Sequence, residues 1–264
     1  DDHHRDRRDQ PLMPNEPGPA LVVALVALLL LAVTTSWLGG LRHQRQVTTA
    51  AARATIQLGA VALVITAVLG SVWWSLLFGV FMFAFAVFTS SRRIEAPRTW
   101  PWVGIAILAG VVPTLAVIFA SGAVPFTGAS LVPIAGIVIG GAMTASSLTG
   151  RRVFTAMRDE YGTLEAGLSI GLTRPEAIDE VIRRHLPEAL VPGLDQTRTV
   201  GLVTLPGAFV GVLLGGGTPV QAGAAQLLVL VGLLSAQTIT VVVASRLIRA
   251  GLLLPADLRS RIPA

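Results

Sequence analysis

The chain has 264 residues, of which 53% are hydrophobic and 13% are charged, about half the charged fraction of an average soluble domain. It contains no Cys and its 20 basic residues are all Arg, which excludes disulfides, thiolate chemistry, Schiff-base chemistry and a standard P-loop with its Lys. The Arg residues stand between long apolar runs, so membrane topology explains the net charge of +5 better than nucleic-acid binding does.

The first 19 residues are polar, and we predict that they form a disordered N-terminal tail. Arg5, Arg7 and Arg8 alternate there with Asp residues, and a stretch containing Pro, Asn and Gly follows. The first apolar run is not followed by a small-residue cleavage pattern, so the segment does not have the form of a signal peptide.

Four long stretches without a charged residue predict seven membrane-spanning helices. A span needs about 20 apolar residues. The first stretch, with 25 residues, has room for one span. The other three, with 38, 52 and 47 residues, have room for two spans each. We therefore predict an all-α, polytopic membrane protein with spans at 20–38, 54–70, 72–90, 102–120, 131–149, 199–216 and 222–245. In this division spans one to five fill residues 20–149, a charged insert fills 150–198, spans six and seven fill 199–247, and a C-terminal tail fills 248–264.

The distribution of Arg predicts the orientation of these spans. The connections 42–53, 91–101 and 150–198, together with the tail from Arg246, hold 17 of the 20 Arg residues. Because basic residues accumulate on cytoplasmic loops, we expect the N-terminus outside the cell and the C-terminus in the cytoplasm of a multi-pass cell-membrane protein. Arg53 lies at the mouth of the second span, where it is expected to anchor the interface; contact with a partner or an anionic substrate is the alternative.

The charged insert begins with a helical pattern. Apolar residues recur at spacings of three and four from Val153 to Leu168, which predicts a helix that continues the fifth span. Gly171 is expected to end this helix. The pattern admits two interpretations: a solvated hairpin that only joins two spans, or an element held by a partner protein.

A second helix is predicted directly after Gly171. Thr173 is its expected N-cap, Glu176 completes a capping box, and Pro175 is tolerated in the first turn. Pro187 is expected to stop this helix after about three turns. Isolated helices of this length are marginal in water, so two of them in succession indicate a packing partner.

Several motifs resemble those of ABC transporter permeases. Glu165-Ala166-Gly167 with Gly171, followed by Leu186-Pro187-Glu-Ala-Leu, is similar to the cytoplasmic EAA loop of ABC importers, although the spacing from Gly171 to Pro187 is about one helical turn longer. The broader resemblance, over roughly residues 50–250, is to the FetB-like family of ABC permeases, tied to iron export in bacteria and to aluminium tolerance in plants. The segments that carry it are Arg53-Ala-Thr-Ile-Gln57-Leu58, Val132-Pro133-Ile-Ala-Gly136, Thr199 to Gly207 with Gly211, and Pro219-Val220 with Gln226.

The resemblance implies a permease subunit that works as a homodimer with two copies of a separate ABC ATPase. The ATPase would bind ATP and Mg, whereas this chain would bind no cofactor or resident metal and carry no catalytic residue. Docking of the ATPase on residues 163–187 would tilt the fifth and sixth spans and export iron or another metal. The residues that the resemblance implies for coupling to the ATPase are Glu165, Ala166, Gly167, Gly171, Thr173, Pro175, Glu176, Leu186 and Pro187.

The predicted spans contain neutral polar residues and no acidic residue. Hard cations need several carboxylate or carbonyl oxygens, and proton relays use intramembrane Asp, Glu or His, so a tight bare-metal site and a proton relay are both disfavoured. Gln57, Met143, Thr144 and Gln226 are the candidates for the substrate pathway. Pairing between helices is the favoured role of the two Gln residues, and core filling is the favoured role of Met143.

Pro206 and Gly207 lie inside the predicted sixth span, just after the insert, and are the predicted hinge. Two other functions are the alternatives. A stand-alone secondary transporter or channel would need an ion-coupling site in the spans. An intramembrane enzyme would need a catalytic constellation, and Ser146 and Ser147 have no His or Lys beside them in the membrane.

Overall fold

The computed structural model describes residues 18–262, which fold into helices with no β-strand in that range. The predicted disordered tail, residues 1–19, lies outside the described residues except for Gly18 and Pro19. Short 3-10 helices occur at Pro97–Thr99 and Leu186–Leu190. The α-helices are α1 Pro19–Leu38, α2 Gln44–Leu69, α3 Val72–Arg93, α4 Trp100–Ala120, α5 Gly128–Asp159, α6 Tyr161–Ser169, α7 Arg174–Ile182, α8 Val191–Thr199, α9 Gly207–Leu214, α10 Pro219–Arg249 and α11 Ala256–Arg261.

Six of these helices, α1 to α5 and α10, are long and apolar enough to cross a membrane. They confirm the predicted all-helical, multi-pass membrane architecture. The fifth span continues into the insert, as predicted, because α5 runs for 32 residues, about 48 Å at 1.5 Å per residue. The predicted helix up to Gly171 is broken, however, at Glu160, where α5 ends and α6 begins. The chain divides into two compact units at residues 66 and 67, and α1 with most of α2 forms the first.

The second unit is built around α5 and α10. Helix α10 packs along α4 and α5, and α5 also packs along α3. The closest approach is at Gly110 of α4, where a Cβ atom would lie 2.3 Å from the carbonyl oxygen of Ala236 in α10. Glycine is therefore required at this crossing, as at many close helix contacts in membranes.

The predicted sixth span is not a continuous helix. Helix α8 ends at Thr199, Gly201 adopts a φ of +82°, and the chain then runs irregularly to α9. The sequence predicts that Pro206 lies inside a continuous sixth span and acts there as a hinge. This position is wrong, because Pro206 is the N-cap of the short helix α9. The physical reason is local: a left-handed Gly ends a helix, and Pro disfavours helical backbone in the residue before it.

The broken segment still passes along α10 toward its N-terminal end. Gly193 of α8 packs against Gln237 of α10, whereas Phe209 of α9 bonds to Gln226, eleven residues earlier. Eleven residues correspond to about 16 Å along the α10 axis. The predicted sixth span is thus made by irregular chain and α9 instead of by one helix.

The predicted C-terminal tail is packed against the rest of the unit. Leu253, Leu254, Leu258 and Ile262 are all buried, and α11 packs against α5. The residues after α10 therefore belong to the folded unit and reinforce the end of α5 from which the insert begins.

Candidate functional site

Helices α6 and α7 form a hairpin, residues 161–182, whose inner face is fixed to the spans. Leu164, Ile178, Val181 and Ile182 have no exposed surface, and α7 packs against both α5 and α10. Gly167 lets the two helices approach, since a Cβ there would lie 3.4 Å from the Cβ of Ala177. The hairpin is thus a continuation of the core.

The turn of this hairpin has the chemistry that the sequence predicts. Gly171 has a φ of +96°, and it ends α6 with the paired backbone bonds of a Schellman motif. The carboxylate of Glu176 accepts hydrogen bonds from the Thr173 N–H at 2.8 Å and the Thr173 hydroxyl at 2.6 Å. These bonds lower the pKa of Glu176. The predicted capping box is confirmed, but α7 ends at Ile182, before Pro187.

The tip of the hairpin exposes one large apolar side chain that the sequence patterns did not single out. Ile170 is 82% exposed, and it lies between Ser169 and the left-handed Gly171. The sequence could have indicated this exposure, because Ile170 lies next to a helix-ending Gly and outside the apolar stripe of α6. The exposed residues around it from the predicted coupling set are Glu165, Ala166, Gly171, Thr173, Pro175 and Glu176.

The other predicted coupling residues lie elsewhere. Gly167 is buried inside the hairpin. Leu186 and Pro187 lie in the 3-10 helix that packs against α5. The structure therefore places most of the predicted set at the exposed tip, Gly167 inside the hairpin, and Leu186 with the exposed Pro187 at the 3-10 helix.

An ion pair fastens α7 to the end of α10. Oδ1 of Asp179 accepts a hydrogen bond from Nε of Arg249 at 2.7 Å, and it lies 2.6 Å from Nη2 of the same guanidinium. Arg158 at the end of α5 makes a similar pair with Asp257, at 2.8 and 3.2 Å, and also reaches Glu95 at 3.4 Å. The Arg158 guanidinium lowers the pKa of Asp257. The α3–α4 connection, the hairpin and the C-terminal residues therefore lie on one face.

A polar cavity of about 460 Å³ lies on the same face, beside α5. Part of its charged lining is paired: Glu160 contacts His185 at 3.2 Å and Arg184 outside the lining, and Glu188 lies 3.2 Å from Arg152. Such mutual pairing stabilises the base of the insert and leaves little net charge for a ligand.

A larger cavity of about 760 Å³, here called the chamber, lies between α5, α9 and α10. Its lining is apolar except for Ser130, Gln196 and Gln226, and it contains no charged side chain. Gln226 is 5% exposed, and its Oε1 accepts the Phe209 N–H at 3.2 Å. This amide therefore joins α10 to α9, the pairing of helices that was the favoured interpretation.

Comparison with known proteins agrees with this architecture. Residues 19–252 match the model of the Uncharacterised protein family (UPF0014). The chain belongs to this family. The match covers the six spanning helices, the hairpin and the chamber.

Named relatives of this UPF0014 chain bear out the resemblance seen in the sequence. It is 33% identical to "UPF0014 membrane protein STAR2" of Oryza sativa, over 85% of this chain and 80% of that protein. It is 30% identical to "Protein ALUMINUM SENSITIVE 3" of Arabidopsis thaliana, over 85% of this chain and 82% of that protein. It is 36% identical to the "Probable iron export permease protein FetB" of Escherichia coli, over 53% of this chain and 54% of that protein. No solved structure matches this chain.

The remaining pathway candidates of the UPF0014 chain do not line the chamber. Gln57 is exposed on α2 in the first unit, as is Arg53. Met143 packs against the core of the second unit. Thr144 is exposed, and its hydroxyl donates to the Gly140 carbonyl at 2.9 Å. The predicted hinge does line the chamber, because Pro206 and Gly207 form the start of α9.

Gln237 is a further buried amide, at the end of α10 nearer the hairpin. It is 7% exposed, and its Oε1 has no hydrogen-bond partner among residues 18–262. Its amide is held between Gly193 of α8 and Gly141 of α5, and a Cβ on Gly193 would lie 2.1 Å from that oxygen. Within the described residues there is no group of three His, Asp or Glu side chains that could hold a metal ion.

Proposed function

We propose that this chain is the permease subunit of an ATP-driven exporter and that a separate ABC ATPase docks on the α6–α7 hairpin. The observation that carries the proposal is the hairpin, whose inner face is packed on α5 and α10 while its tip exposes Ile170. In this proposal Ile170, among the exposed polar residues of the tip, is the apolar contact for the ATPase. The name of the relative FetB, a probable iron export permease, supports the class of function.

The face that bears the hairpin is the cytoplasmic face in this proposal. Arg158 contacts both Glu95 and Asp257, so three of the four Arg-rich segments share that face. The positive-inside rule then orients it toward the cytoplasm and directs the N-terminus outward. A cytoplasmic ATPase would meet the hairpin tip from this side.

Movement of the hairpin would pass to α5 and α10. Helix α5 leads directly into the hairpin, and the pair of Asp179 with Arg249 ties α7 to α10. The sequence had suggested the fifth and sixth spans as the moving pair; the contacts of the hairpin favour the fifth and the last. Pro206 and Gly207 stay the predicted hinge, now at the N-terminus of α9.

The working assembly in this proposal has two copies of the chain and two ATPase subunits, which bind ATP and Mg. The cargo is a metal, with iron as the first to test because of the relative FetB. Aluminium is the second, because of the name of the Arabidopsis relative. No bond is broken by this chain; its task is to switch the access of the cargo between the two sides of the membrane.

Docking can be tested with the full chain and a candidate ABC ATPase subunit expressed together. Ile170→Asp, or Glu165→Arg combined with Glu176→Arg, should reduce the co-purified ATPase by at least about tenfold, the effect expected of a central interface residue. Asp195→Arg is the control, because Asp195 is an exposed acidic residue on α8, away from the hairpin.

Unchanged co-purification of the ATPase with both hairpin variants would overturn the docking site. The proposed function as a whole would fail if the purified chain alone, reconstituted in liposomes without ATPase or ATP, carried metal at the rate of the full assembly. That result would indicate a stand-alone transporter or channel.

A further inference from the structure

The chemistry of the chamber points to the form in which the cargo travels. We infer that the chamber binds the metal as an electrically neutral, largely apolar chelate and does not bind a bare cation. This inference rests on the proposed export function, and it concerns the chamber lined by Gln196 of α8, Gln226 of α10 and Ser130 of α5.

The lining lacks the groups that a bare cation requires. Of its seventeen residues, three have polar side chains and none is charged. Hard cations are held by several carboxylate or carbonyl oxygens, and a charge without a partner is strongly disfavoured in an apolar site. Amide and hydroxyl groups suit the oxygen atoms on the rim of a neutral chelate, while the apolar walls suit its organic surface.

The size of the chamber leads to the same conclusion. Its volume of about 760 Å³ lies within the range of roughly 300–1,000 Å³ that is typical of small-molecule sites. Six waters around a hydrated cation, at about 30 Å³ each, would occupy only about 180 Å³. Such a hydrated ion would leave most of the chamber empty and would find few acceptors for its water.

The irregular chain beside the chamber also indicates a ligand site. Pro206, the residue at which the irregular chain ends, lines the chamber together with four residues of α9, Gly207, Ala208, Gly211 and Val212. Non-helical backbone at membrane depth persists where it is buried in protein or lines a cavity, and broken helices lie beside binding sites in other transporters. Gln226 holds this break in place through its bond to Phe209.

A binding experiment on the purified full chain in detergent, without ATPase, tests the inference. The probe is ⁵⁹Fe-labelled ferric tris-maltolate, a neutral chelate; the comparisons are Fe²⁺ under reducing conditions, ferric citrate and free maltol. Ala225→Leu places extra volume in the chamber, whereas Ala224→Leu adds it at the exposed neighbouring residue of the same helix. We expect Ala225→Leu to weaken binding of the maltolate complex by at least about tenfold and Ala224→Leu to change it by less than about twofold.

Gly211→Leu is a second filling variant, on α9, where a new Cβ has no neighbour within 4 Å. Loss of binding in both filling variants supports the chamber as the site. Tighter binding of Fe²⁺ or ferric citrate, equal binding of free maltol, or insensitivity to both fillings would overturn the inference. So would a phospholipid that co-purifies with the wild type and is lost from Ala225→Leu.

These outcomes are independent of the ATPase. If the chelate binds but no ATPase docks on the hairpin, the proposed function fails and the chamber stands as a binding site. If the ATPase docks and drives export of metal, but the maltolate complex does not bind, the inference about the chelate fails alone.

Discussion

Breaking the ion pair between α7 and α10 should disconnect the hairpin from the last span. Asp179→Ala removes the carboxylate oxygen that accepts a hydrogen bond from Nε of Arg249 at 2.7 Å and lies 2.6 Å from Nη2. Hydrogen bonds to charged groups contribute about 1.5–3 kcal/mol. The side chains of Asp179 and Arg249 are 36% and 29% exposed. Solvent screening therefore reduces the expected loss in the free energy of unfolding to about 1–2 kcal/mol.

The functional effect should exceed the loss of stability. With the ATPase reconstituted beside the chain in proteoliposomes, Asp179→Ala should hydrolyse ATP but export less metal per ATP, because α10 no longer follows the hairpin. ATPase docking should be retained, since Asp179 does not lie at the exposed tip. Asp257→Ala is the matched control: it breaks the similar pair with Arg158, but this pair holds α11 and not the hairpin. The double variant Asp179→Arg with Arg249→Asp restores opposite charges and should recover part of the coupling.

Two results would contradict this reasoning. If Asp179→Ala exports as much metal per ATP as the wild type, the pair does not transmit movement. If Asp257→Ala loses coupling to the same degree, the effect reflects general loosening of this face of the protein.

Two further predictions concern stability. Gly110→Ala should lower the free energy of unfolding by about 1–3 kcal/mol, because its Cβ would meet the Ala236 carbonyl at 2.3 Å. Gly79→Ala, with open space around it, should be neutral or stabilising; equal thermal unfolding of the two variants would disprove the close α4–α10 crossing. The hydrogen bond from Arg158 lowers the pKa of Asp257 from its ordinary value of 3.8. The ionised carboxylate therefore contributes fully to the free energy of unfolding above about pH 3.8, and this contribution is lost as the pH falls through the lower pKa of the folded state. The difference in melting temperature between wild type and Asp257→Asn should therefore stay constant from pH 7 to about pH 4 and shrink only below that, and a difference that shrinks already near pH 6 would contradict this.

The spanning helices could be predicted from the sequence because bilayer thickness sets their length. Charge-free stretches located α1 to α5 and α10, and capping residues located the start of α7. The passage over 199–216 could not be predicted in this way, because irregular chain beside a chamber is as apolar as a helix. Gly201 and Pro206 marked its breaks, but the amide of Gln226 that compensates for them comes from a distant part of the chain.

The candidate site could be predicted only where its chemistry is local. The capping box of Thr173 and Glu176 depends on four consecutive residues, and it formed as expected. Ile170 was missed because analysis by periodicity assigns apolar residues to buried faces. The chamber was missed except for Gln226 and the hinge residues Pro206 and Gly207, because a cavity is a property of several helices whose separation no single segment encodes.

The position of α5 and α10 links the two parts of the candidate site. Both helices line the chamber, and both end at the face that bears the hairpin, so a movement of the hairpin has a direct path along either helix to the chamber's walls. In α5, Pro133 lies in the chamber wall, 25 residues or about 38 Å before Arg158. A Pro inside a helix removes one backbone hydrogen bond and is a common site of bending. In the exporter mechanism proposed above, a force applied at the hairpin would therefore bend α5 most readily at Pro133, in the wall of the proposed cargo site.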